Sequence, residues 1–412
     1  MDIPGLPARR AALNLIDAVL RRGETLDQAA SSALSRVRGE PDRALARAIA
    51  GEVLRWRADL DELIDSATRM PLADDAKARA VLEIMLAQVL RLETPAHAVI
   101  ATGLPLLAGG PRRLAHGVFS TLTRRGIFLP DVPTLPDAPY ERWGSRAEDI
   151  AKGLALPPPL DIALRDASET PNWAEKLGGT SLMPGHVRLG RGTPVTELAG
   201  FGEGAWWVQD LAASLPARLL GPGGVGRRAL DLCAAPGGKT MQLAAAGWDV
   251  TALDIAGRRL ERLRANLERT NLGAEVVQAD ALKWEPEAPF DAILLDAPCT
   301  ATGTCRRHPE VLHRIGPRQI DEMAEIQAKL LARAAEWLAP GGVLVYAVCS
   351  LEEAEGEAQA RALEGLQPEA ITQAELPDGL VPTEEGWLRT DPGMLAGQGG
   401  LDGFFIARWR KV

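Results

Sequence analysis

The first third of the chain repeats apolar residues at the three- and four-residue spacing of an α-helix. The first such face carries Ala12, Ile16, Val19 and Leu20. Gly23 follows that face and is a typical helix stop. The stretches up to residue 128 lack the strict apolar–polar alternation of a half-buried strand. The pattern predicts an all-α domain over residues 1–130.

Prolines dominate the next segment. They recur every third residue at Pro130, Pro133, Pro136 and Pro139. This spacing is typical of a semi-extended polyproline-II segment, so it predicts a linker over residues 131–160. Short β-like pieces between glycines follow at 186–189 and 205–208. They indicate a small α+β connecting subdomain over residues 161–215.

From Arg228 onward, short apolar segments alternate with helical ones. The apolar segments are Arg228–Cys233, Val250–Ile255, Glu275–Gln278, Phe290–Asp296 and Val343–Val348. Nearly continuous apolar strands with helical crossovers predict a parallel sheet that is covered on both faces. We therefore expect a Rossmann-like α/β domain over residues 216–412, closed by a last strand at 403–409.

Composition places the chain among soluble globular proteins of two or three domains. It has 412 residues, of which 46% are apolar and 25% charged. No apolar run reaches about 18 residues, and no apolar stretch follows a basic start, so we expect neither a membrane span nor a secretory signal. We expect a cytoplasmic monomer.

Charge is unevenly distributed. The net charge is −9, yet residues 1–130 hold 18 lysines and arginines against 15 aspartates and glutamates. The helical part is therefore mildly basic and the remainder acidic. This distribution is compatible with RNA binding through local patches, and equally with a solvated surface of mixed charge.

The chain has four cysteines, Cys233, Cys299, Cys305 and Cys349, and five histidines. Four cysteines in so long a chain do not form a disulfide framework, and none are spaced as C-x-x-C. We expect no metal site. Cysteine chemistry must therefore be sought at the strand ends, where three of the four lie.

Two glycine-rich loops flank the first strand of the α/β domain. The run GPGGVG at 221–226 matches a dinucleotide fingerprint but precedes the strand, whereas the fingerprint must follow it and open a helix. The loop in the correct place is Cys233, Ala234, Ala235, Pro236, Gly237, Gly238 and Lys239. A phosphate-binding P-loop would need glycine where Cys233 stands, which disfavours a nucleoside triphosphatase.

Three carboxylates come at the ends of successive strands. Asp254 ends the second strand, Asp280 follows the third and Asp296 ends the fourth. The carboxyl ends of parallel strands meet at one edge, where an open α/β sheet binds its ligand. A carboxylate at Asp254 can accept hydrogen bonds from ribose hydroxyls, and Asp280 can reach an adenine amino group. An adenosine ligand without a polyphosphate is indicated, which favours S-adenosylmethionine over NAD.

Cys299 and Cys349 end the fourth and fifth strands, which we expect to be adjacent. Both would then face one pocket beside the cofactor's methyl group. Carbon 5 of cytosine becomes nucleophilic once a thiolate has added to carbon 6, and a base must later remove the carbon 5 proton. The spacing alone leaves open which cysteine attacks.

Several motifs together resemble the RsmB/NOP/Sun family of RNA cytosine-5 methyltransferases. They are CAAPGGKT at 233–240, DAPCTATGT at 296–304, CRRHPE at 305–310, AVCS at 347–350, WVQD at 207–210 and DGFF at 402–405. The N-terminal stretches ARRAALNLIDAVL, DRALARAIAGEVLRW and LETPAHAVI look like the NusB-type domain of the bacterial members. The resemblance implies methylation of small-subunit (16S) ribosomal RNA, with an RNA-binding helical domain and an RNA-contacting subdomain at 161–215.

The resemblance also assigns roles to individual residues. It implies that Cys349 is the nucleophile, that Cys299 assists product release, and that Asp296 lies at the catalytic centre. The loop 233–239 and the aspartates Asp254, Asp280 and Asp296 match cofactor positions. Arg306, Arg307 and His308 follow the Cys299 loop and could hold RNA phosphate, or they could form a solvated surface turn.

The sequence departs from the family pattern at two points near the cysteines. The family's usual Ser-Gly-Thr-Gly after Cys299 is Thr300-Ala301-Thr302-Gly303 here, and Val348 replaces the usual threonine before Cys349. Ala301 lacks the conformational freedom of glycine, so the loop is expected to differ slightly.

Alternative readings remain at this point. A NusB-like RNA-binding protein with an inactive methyltransferase domain is one, and 5-methylcytosine formation in tRNA is another. Adenine N6 methyltransferases carry Asn/Asp-Pro-Pro-Tyr after the fourth strand, where Cys299 stands here.

Overall fold

The computed structural model describes residues 3–155, 157–190 and 192–412. These residues form two compact units. The first, called the helical unit, consists of residues 3–155 with 305–315; the second, called the sheet unit, consists of the other described residues from 157 to 412. Within the described chain no helix is long and apolar enough to span a membrane.

Helices α1 to α7 of the helical unit pack around one apolar core. Its helices are α1 (Leu6–Arg22), α2 (Leu26–Ala33), α3 (Glu40–Arg55), α4 (Arg57–Ser66), α5 (Lys77–Leu90), α6 (Ala96–Gly103), α7 (Gly109–Arg125), α8 (Asp137–Trp143), α9 (Ala147–Leu154) and, from the later segment, α14 (Val311–Arg314). Helix α1 ends at Gly23, whose φ of 67° provides the left-handed C-cap. Its apolar face, including Ile16 and Val19, is buried in the core.

The prediction of an extended linker over residues 131–160 is wrong, because this segment forms α8 and α9. Pro136 is the N-cap residue of α8 and Pro139 lies in its first turn. Proline lacks a backbone N–H and has a fixed φ, both of which suit the first turn of a helix. Two of the four regularly spaced prolines therefore mark the start of α8, and the segment is not a continuous polyproline-II helix.

The sheet unit begins with a small three-stranded antiparallel sheet in the order β2-β1-β3. Its strands are β1 (Leu160–Leu164), β2 (His186–Leu189) and β3 (Trp206–Val208), with α10 (Thr170–Leu177) between the first two. Arg188 donates two hydrogen bonds of 2.7 Å to Asp161 across the buried β1–β2 pair. The predicted α+β character of 161–215 is confirmed, and α11 (Leu211–Arg218) runs across its predicted end.

The main sheet has the order β10-β11-β8-β7-β4-β5-β6, with β9 paired to β11. Its strands are β4 (Arg228–Leu232), β5 (Asp249–Asp254), β6 (Glu275–Gln278), β7 (Phe290–Asp296), β8 (Leu338–Val348), β9 (Gln367–Pro368), β10 (Leu388–Arg389) and β11 (Phe405–Arg410). Strands β4 to β8 are parallel, and β11 is antiparallel to β8. The crossover helices are α12 (Gly238–Ala245), α13 (Gly257–Thr270) and α15 (Pro317–Trp337), and α16 (Glu357–Ala362) follows β8.

Side chains of the central strands alternate between two cores, one on each face of the sheet. Ala292 and Leu294 of β7 join one core, together with Leu215 of α11. Ile293 and Leu295 of the same strand join the other, together with residues of α15. Burial on both faces explains why these strands read as continuous apolar runs. The predicted Rossmann-like sheet, with the fourth and fifth parallel strands adjacent, is confirmed.

Candidate active site

Two cysteine side chains meet at one edge of the main sheet. Cys299 follows the end of β7 and Cys349 follows the end of β8, and the two strands pair in register at Asp296 and Ala347. The Sγ atoms of Cys299 and Cys349 are 3.4 Å apart. Both side chains are half-buried. The structure thus brings together the two cysteines that the strand pattern placed in one pocket.

An ion pair between a buried lysine and a half-buried aspartate lies beside the cysteines. Lys239 Nζ is 2.8 Å from Asp296 Oδ2, and the lysine is 9% exposed. Burial lowers the pKa of Lys239, but the charge and hydrogen bond of Asp296 outweigh it, and the charge of Cys349 adds to them, so the pKa is raised overall. Lys239 is therefore an ammonium ion paired with the carboxylate of Asp296.

The two cysteines share one hydrogen bond, in which either sulfur atom can be the donor. The hydrogen bond with Cys349, followed by burial, raises the pKa of Cys299 well above its usual range. Cys299 is therefore a thiol near neutral pH. A thiol at this distance can donate a hydrogen bond to a thiolate on Cys349.

The loop after Cys299 is held by backbone contacts. Gly303 N donates to Cys349 O at 3.0 Å, and Gly403 N donates to Gly303 O at 2.8 Å. A Cβ on Gly303 would collide with the carbonyl of Gly403, so this close approach requires glycine. Ala301 has a φ of 58°, so the loop reaches a left-handed conformation without the family's usual glycine. The Asp-Gly-Phe-Phe segment thereby supports the loop of Cys299.

The predicted cofactor loop, residues 233–239, connects β4 to α12. Gly237 adopts a φ of 103° and caps the start of α12, while Ala234 and Ala235 are small and buried. Asp254 Oδ2 accepts from Ala235 N at 3.1 Å, so the carboxylate at the end of β5 is joined to this loop. Small residues that lead into a helix start leave the backbone accessible to a ligand, as an S-adenosylmethionine loop requires.

Asp254 and Asp280 occupy the strand-end positions that the sequence predicted. Asp254 is 2% exposed, and its other oxygen accepts from Ala256 N at 2.8 Å. A carboxylate oxygen has two lone pairs, so acceptor capacity remains for a ligand. Asp280 follows β6, is half-buried and accepts from Leu282 N at 3.0 Å. This hydrogen bond and an ion pair with Lys283 join it to neighbours in sequence, and its ligand role stays a prediction.

Sequence analysis missed a fourth carboxylate, Asp231 of β4. It is fully buried and accepts a 2.6 Å hydrogen bond from Thr240 Oγ1. Its Oδ1 atom is buried and has no hydrogen-bond partner within the described ranges. Burial, reinforced by the nearby charge of Asp296, raises the pKa of Asp231 to about 7. The sequence does distinguish this carboxylate, because Asp231 is the only acidic residue inside the apolar run Arg228–Cys233.

The structure corrects one of the three predicted RNA contacts. Arg306 is 2% exposed and belongs to the helical unit, where Arg55 Nη2 donates to its carbonyl at 2.7 Å. A buried guanidinium cannot reach a phosphate from solvent. Arg307 is exposed and His308 is half-buried, and for these two the RNA role stays a prediction.

The remaining cysteines are structural by their environment. Burial and then the carboxylates of Asp296 and Asp254 raise the pKa of Cys233 to about 12. Cys305 is fully buried in the helical unit.

Known protein families match parts of both units. Residues 219–410 match the family model described as 16S rRNA methyltransferase RsmB/F, and residues 6–106 match the NusB family. A ribosomal RNA small subunit methyltransferase B from Xanthomonas campestris pv. campestris is 34% identical over 396 residues, with 90% of each chain covered. Its namesake from Pseudomonas putida is 34% identical over 440 residues, with 98% of each chain covered.

Solved structures share the fold of a large part of the chain. A methyltransferase homolog protein from Pyrococcus horikoshii has a TM-score of 0.56 and 28% identity, and the match covers 67% of this chain and 94% of that one. The family uses S-adenosylmethionine as its methyl donor. With near full-length relatives above 30% identity and matching models for both parts, the chain belongs to the RsmB/F family of 16S rRNA methyltransferases.

Proposed function

We propose that this enzyme methylates carbon 5 of a cytosine in 16S ribosomal RNA through a covalent adduct between Cys349 and carbon 6 of the base. The observation that carries the proposal is the pair of sulfur atoms 3.4 Å apart at the ends of adjacent strands. A methyltransferase that attacks an exocyclic nitrogen needs no cysteine at this place. Two cysteines in contact match a reaction that needs a nucleophile and a separate base.

Cys349 is assigned the attack because it matches the nucleophile position of the family. Lys239 is an ammonium ion that interacts with Cys349, and the hydrogen bond with Cys349 raises the pKa of Cys299. In the first step the Cys349 thiolate forms a bond to carbon 6. The electron pair of the carbon 5–carbon 6 double bond then becomes available on carbon 5, which makes that carbon nucleophilic.

The bound cofactor supplies an electrophilic methyl group, and the loop 233–239 with Asp254 and Asp280 would hold it. Asp296 stands next to the cysteines and accepts from Lys239 at 2.8 Å. A carboxylate here can hydrogen-bond the edge of the base and favour the N3-protonated adduct. Its pairing with Lys239 fixes the direction in which the carboxylate points.

Cys299 completes the reaction as the base. The largest cause of its raised pKa is the hydrogen bond with Cys349, and this cause disappears once Cys349 has bonded to carbon 6. Cys299 then loses its proton more readily and can remove the proton from carbon 5. The electrons of the carbon 5–hydrogen bond restore the ring double bond, and the bond between Cys349 and carbon 6 breaks.

We also propose where the enzyme acts and which RNA it methylates. Ribosomal RNA lies in the cytoplasm, so we expect the enzyme to act there. Transfer RNA is the alternative substrate, because the same chemistry serves any accessible cytosine. Arg307, exposed at the surface, is the remaining strong candidate among the predicted phosphate contacts.

Product analysis tests the proposal. The purified protein is incubated with S-adenosylmethionine and either unmodified 16S rRNA, small subunits or tRNA, and the nucleosides are identified by mass spectrometry. We expect 5-methylcytidine in 16S rRNA from the natural protein and none from Cys349→Ala. Formation of N4-methylcytidine, or full activity of Cys349→Ala, would contradict the mechanism, whereas product in tRNA alone would contradict the substrate.

A further inference from the structure

A buried glutamate joins the two cysteine loops. Glu355 lies between β8 and α16 and is fully buried. Its Oε1 accepts from Ser350 Oγ at 2.7 Å and from the hydroxyl of Thr300. Its Oε2 accepts from Thr300 N at 2.9 Å and from Gln327 Nε2 at 3.0 Å. Each oxygen thus has two donors, which suits an ionised carboxylate because that group only accepts.

The donors are the direct neighbours of the reacting residues. Thr300 follows Cys299, and Ser350 follows Cys349. Gln327 of α15 donates a second hydrogen bond, 2.9 Å long, to the carbonyl of Pro298, the residue before Cys299. One carboxylate therefore fixes the loop of Cys299 at both sides and the loop of Cys349 at one.

Glu355 is itself held from the sheet. Tyr346 of β8 donates through its hydroxyl to the carbonyl of Glu355 at 2.5 Å. Arg389 donates to the carbonyl of Ser350 and pairs with Glu357, so the far side of the Cys349 loop is anchored as well. Because these anchors lie in regular elements, the position of the Glu355 carboxylate is set by the sheet and not by the loops that it joins.

We propose that Glu355 is a positioning residue that sets the separation of the two reacting sulfur atoms by binding both cysteine loops at once. The inference rests on the covalent mechanism proposed above. Glu355 positions the sulfur atoms through Thr300 and Ser350, whose hydroxyls donate to it, while its charge also raises the pKa of Cys299. A displacement of about 1 Å in a reacting group costs on the order of a hundredfold in rate. We call the hydrogen bonds of Glu355 to Thr300, Ser350 and Gln327 the clamp, and we expect its loss to lower turnover strongly.

The test measures the separation of the sulfurs apart from catalysis. A diazene oxidant such as diamide converts two neighbouring thiols to a disulfide, and the two hydrogens reduce the diazene to a hydrazine. In the natural protein, thiols 3.4 Å apart should form the Cys299–Cys349 disulfide rapidly. The disulfide is quantified by peptide mass spectrometry, and methylation is measured on separate, unoxidised samples.

The variants remove the clamp stepwise. Glu355→Ala should lower both the disulfide-forming rate and kcat by about 10- to 100-fold, with KM for RNA and cofactor changed less than about twofold. Glu355→Gln can still accept from Thr300 N and Gln327 while its amide donates to the two hydroxyls, so it should lie between Glu355→Ala and the natural protein. Thr300→Val removes one donor without a cavity and should show a smaller loss.

Two controls separate positioning from stability. Glu353→Gln changes an exposed glutamate on the same segment and should leave both rates unchanged. Leu331→Ala in α15 removes a buried side chain from the core on which Cys299 packs but removes no hydrogen bond to the cysteine loops. It should lower Tm as Glu355→Ala does without lowering the disulfide-forming rate.

The outcomes are distinguishable. Disulfide formation that is unchanged or faster in both Glu355→Ala and Thr300→Val overturns the positioning role, even if Cys349→Ala is inactive and the covalent mechanism stands. Equal loss of disulfide formation in Leu331→Ala overturns it too, because the effect would then follow stability. An active Cys349→Ala overturns the covalent mechanism, and with it the catalytic meaning of the clamp.

Discussion

The carboxyl end of β4 and the carboxyl ends of β7 and β8 all carry cysteine, yet they provide different chemistry. Cys233, after β4, is surrounded by carboxylates, and its pKa is raised to about 12 by burial and by Asp296 and Asp254. Cys299 and Cys349 face each other at 3.4 Å, and Lys239 adds a positive charge beside Cys349. Position at a strand end is common to all three, so it does not decide reactivity.

The difference lies in the partners that each sulfur meets. Negative neighbours disfavour a thiolate, and a neighbouring ammonium or thiol donor favours it. The fold supplies both environments within one sheet edge, because a β4 residue lies beside the cofactor carboxylates while the ends of β7 and β8 converge on each other. The following substitutions test this contrast, from the largest expected effect to the smallest.

Removing the nucleophile should have the largest effect. Cys349→Ala should lower methylation by more than about a thousandfold, because the thiolate that bonds to carbon 6 is lost. Cys233→Ala should only raise the KM for the cofactor a fewfold, since its thiol takes no part in bond formation. Initial rates at saturating RNA measure both, with Cys305→Ala as a structural control. If Cys233→Ala lost as much methylation activity as Cys349→Ala, the two cysteines would not differ in their catalytic role.

Removing the base should separate the two halves of the reaction. In Cys299→Ala, attack and methylation proceed but proton removal stalls, so one round of product should stay attached to the protein. Multiple turnover should fall about a hundredfold or more, and a covalent protein–RNA species should accumulate on denaturing gels. If this variant turns over normally while Cys349→Ala accumulates the adduct, the two roles must be exchanged.

Removing the positive charge should have an intermediate effect. Lys239→Met keeps the length of the side chain but leaves Asp296 without its partner at 2.8 Å and Cys349 without a neighbouring ammonium. We expect kcat to fall about a hundredfold, in line with the loss of one preorganised charge. The measurement is turnover at saturating cofactor and RNA. A loss below about threefold would show that the ion pair does not distinguish the Cys349 environment.

The smallest effect should come from relieving a left-handed backbone conformation, which occurs both after β4 and in the loop after Cys299. Cys233 and Ala301 both adopt left-handed φ values, 62° and 58°. Ala301→Gly should stabilise the protein by about 0.5 kcal/mol, because relief of left-handed strain slightly exceeds the entropy cost of glycine. Cys233→Gly should gain less, since it also loses packing in the core around β4. Denaturant unfolding measures the free energy of unfolding of both variants. A lower value for Ala301→Gly would show that the backbone at Ala301 is not strained.

Much of the fold could be predicted from the sequence. Strands β4, β5, β7 and β8 are largely buried and appear as apolar runs, whereas β6 is a half-exposed edge strand. The ends of all five strands lie within one residue of prediction, except that β8 begins earlier, at Leu338. The segment 131–160 was predicted wrongly, because proline is compatible both with polyproline II and with the first turn of a helix. The membership of residues 305–315 in the helical unit depends on long-range packing that no local pattern reports.

The candidate site shows the same division. Asp296 ends β7, Cys299 stands three residues after it and Cys349 follows β8 directly, so their convergence follows from sheet topology. Burial of Arg306 could not be predicted, because the helices that bury it lie some 250 residues earlier in the chain, as its contact with Arg55 shows. Glu355 was missed for a related reason: its partners come from three separate segments, and only the folded chain unites them.

The most direct test of the central claim is a search for the covalent bond itself. The protein is incubated with S-adenosylmethionine and 16S rRNA that contains 5-fluorocytidine, in which fluorine replaces the proton that the base must remove. A stable protein–RNA adduct should form, and peptide mass spectrometry should locate the modified nucleotide on Cys349. An adduct on Cys299, or methylation without any cysteine adduct, would contradict the account.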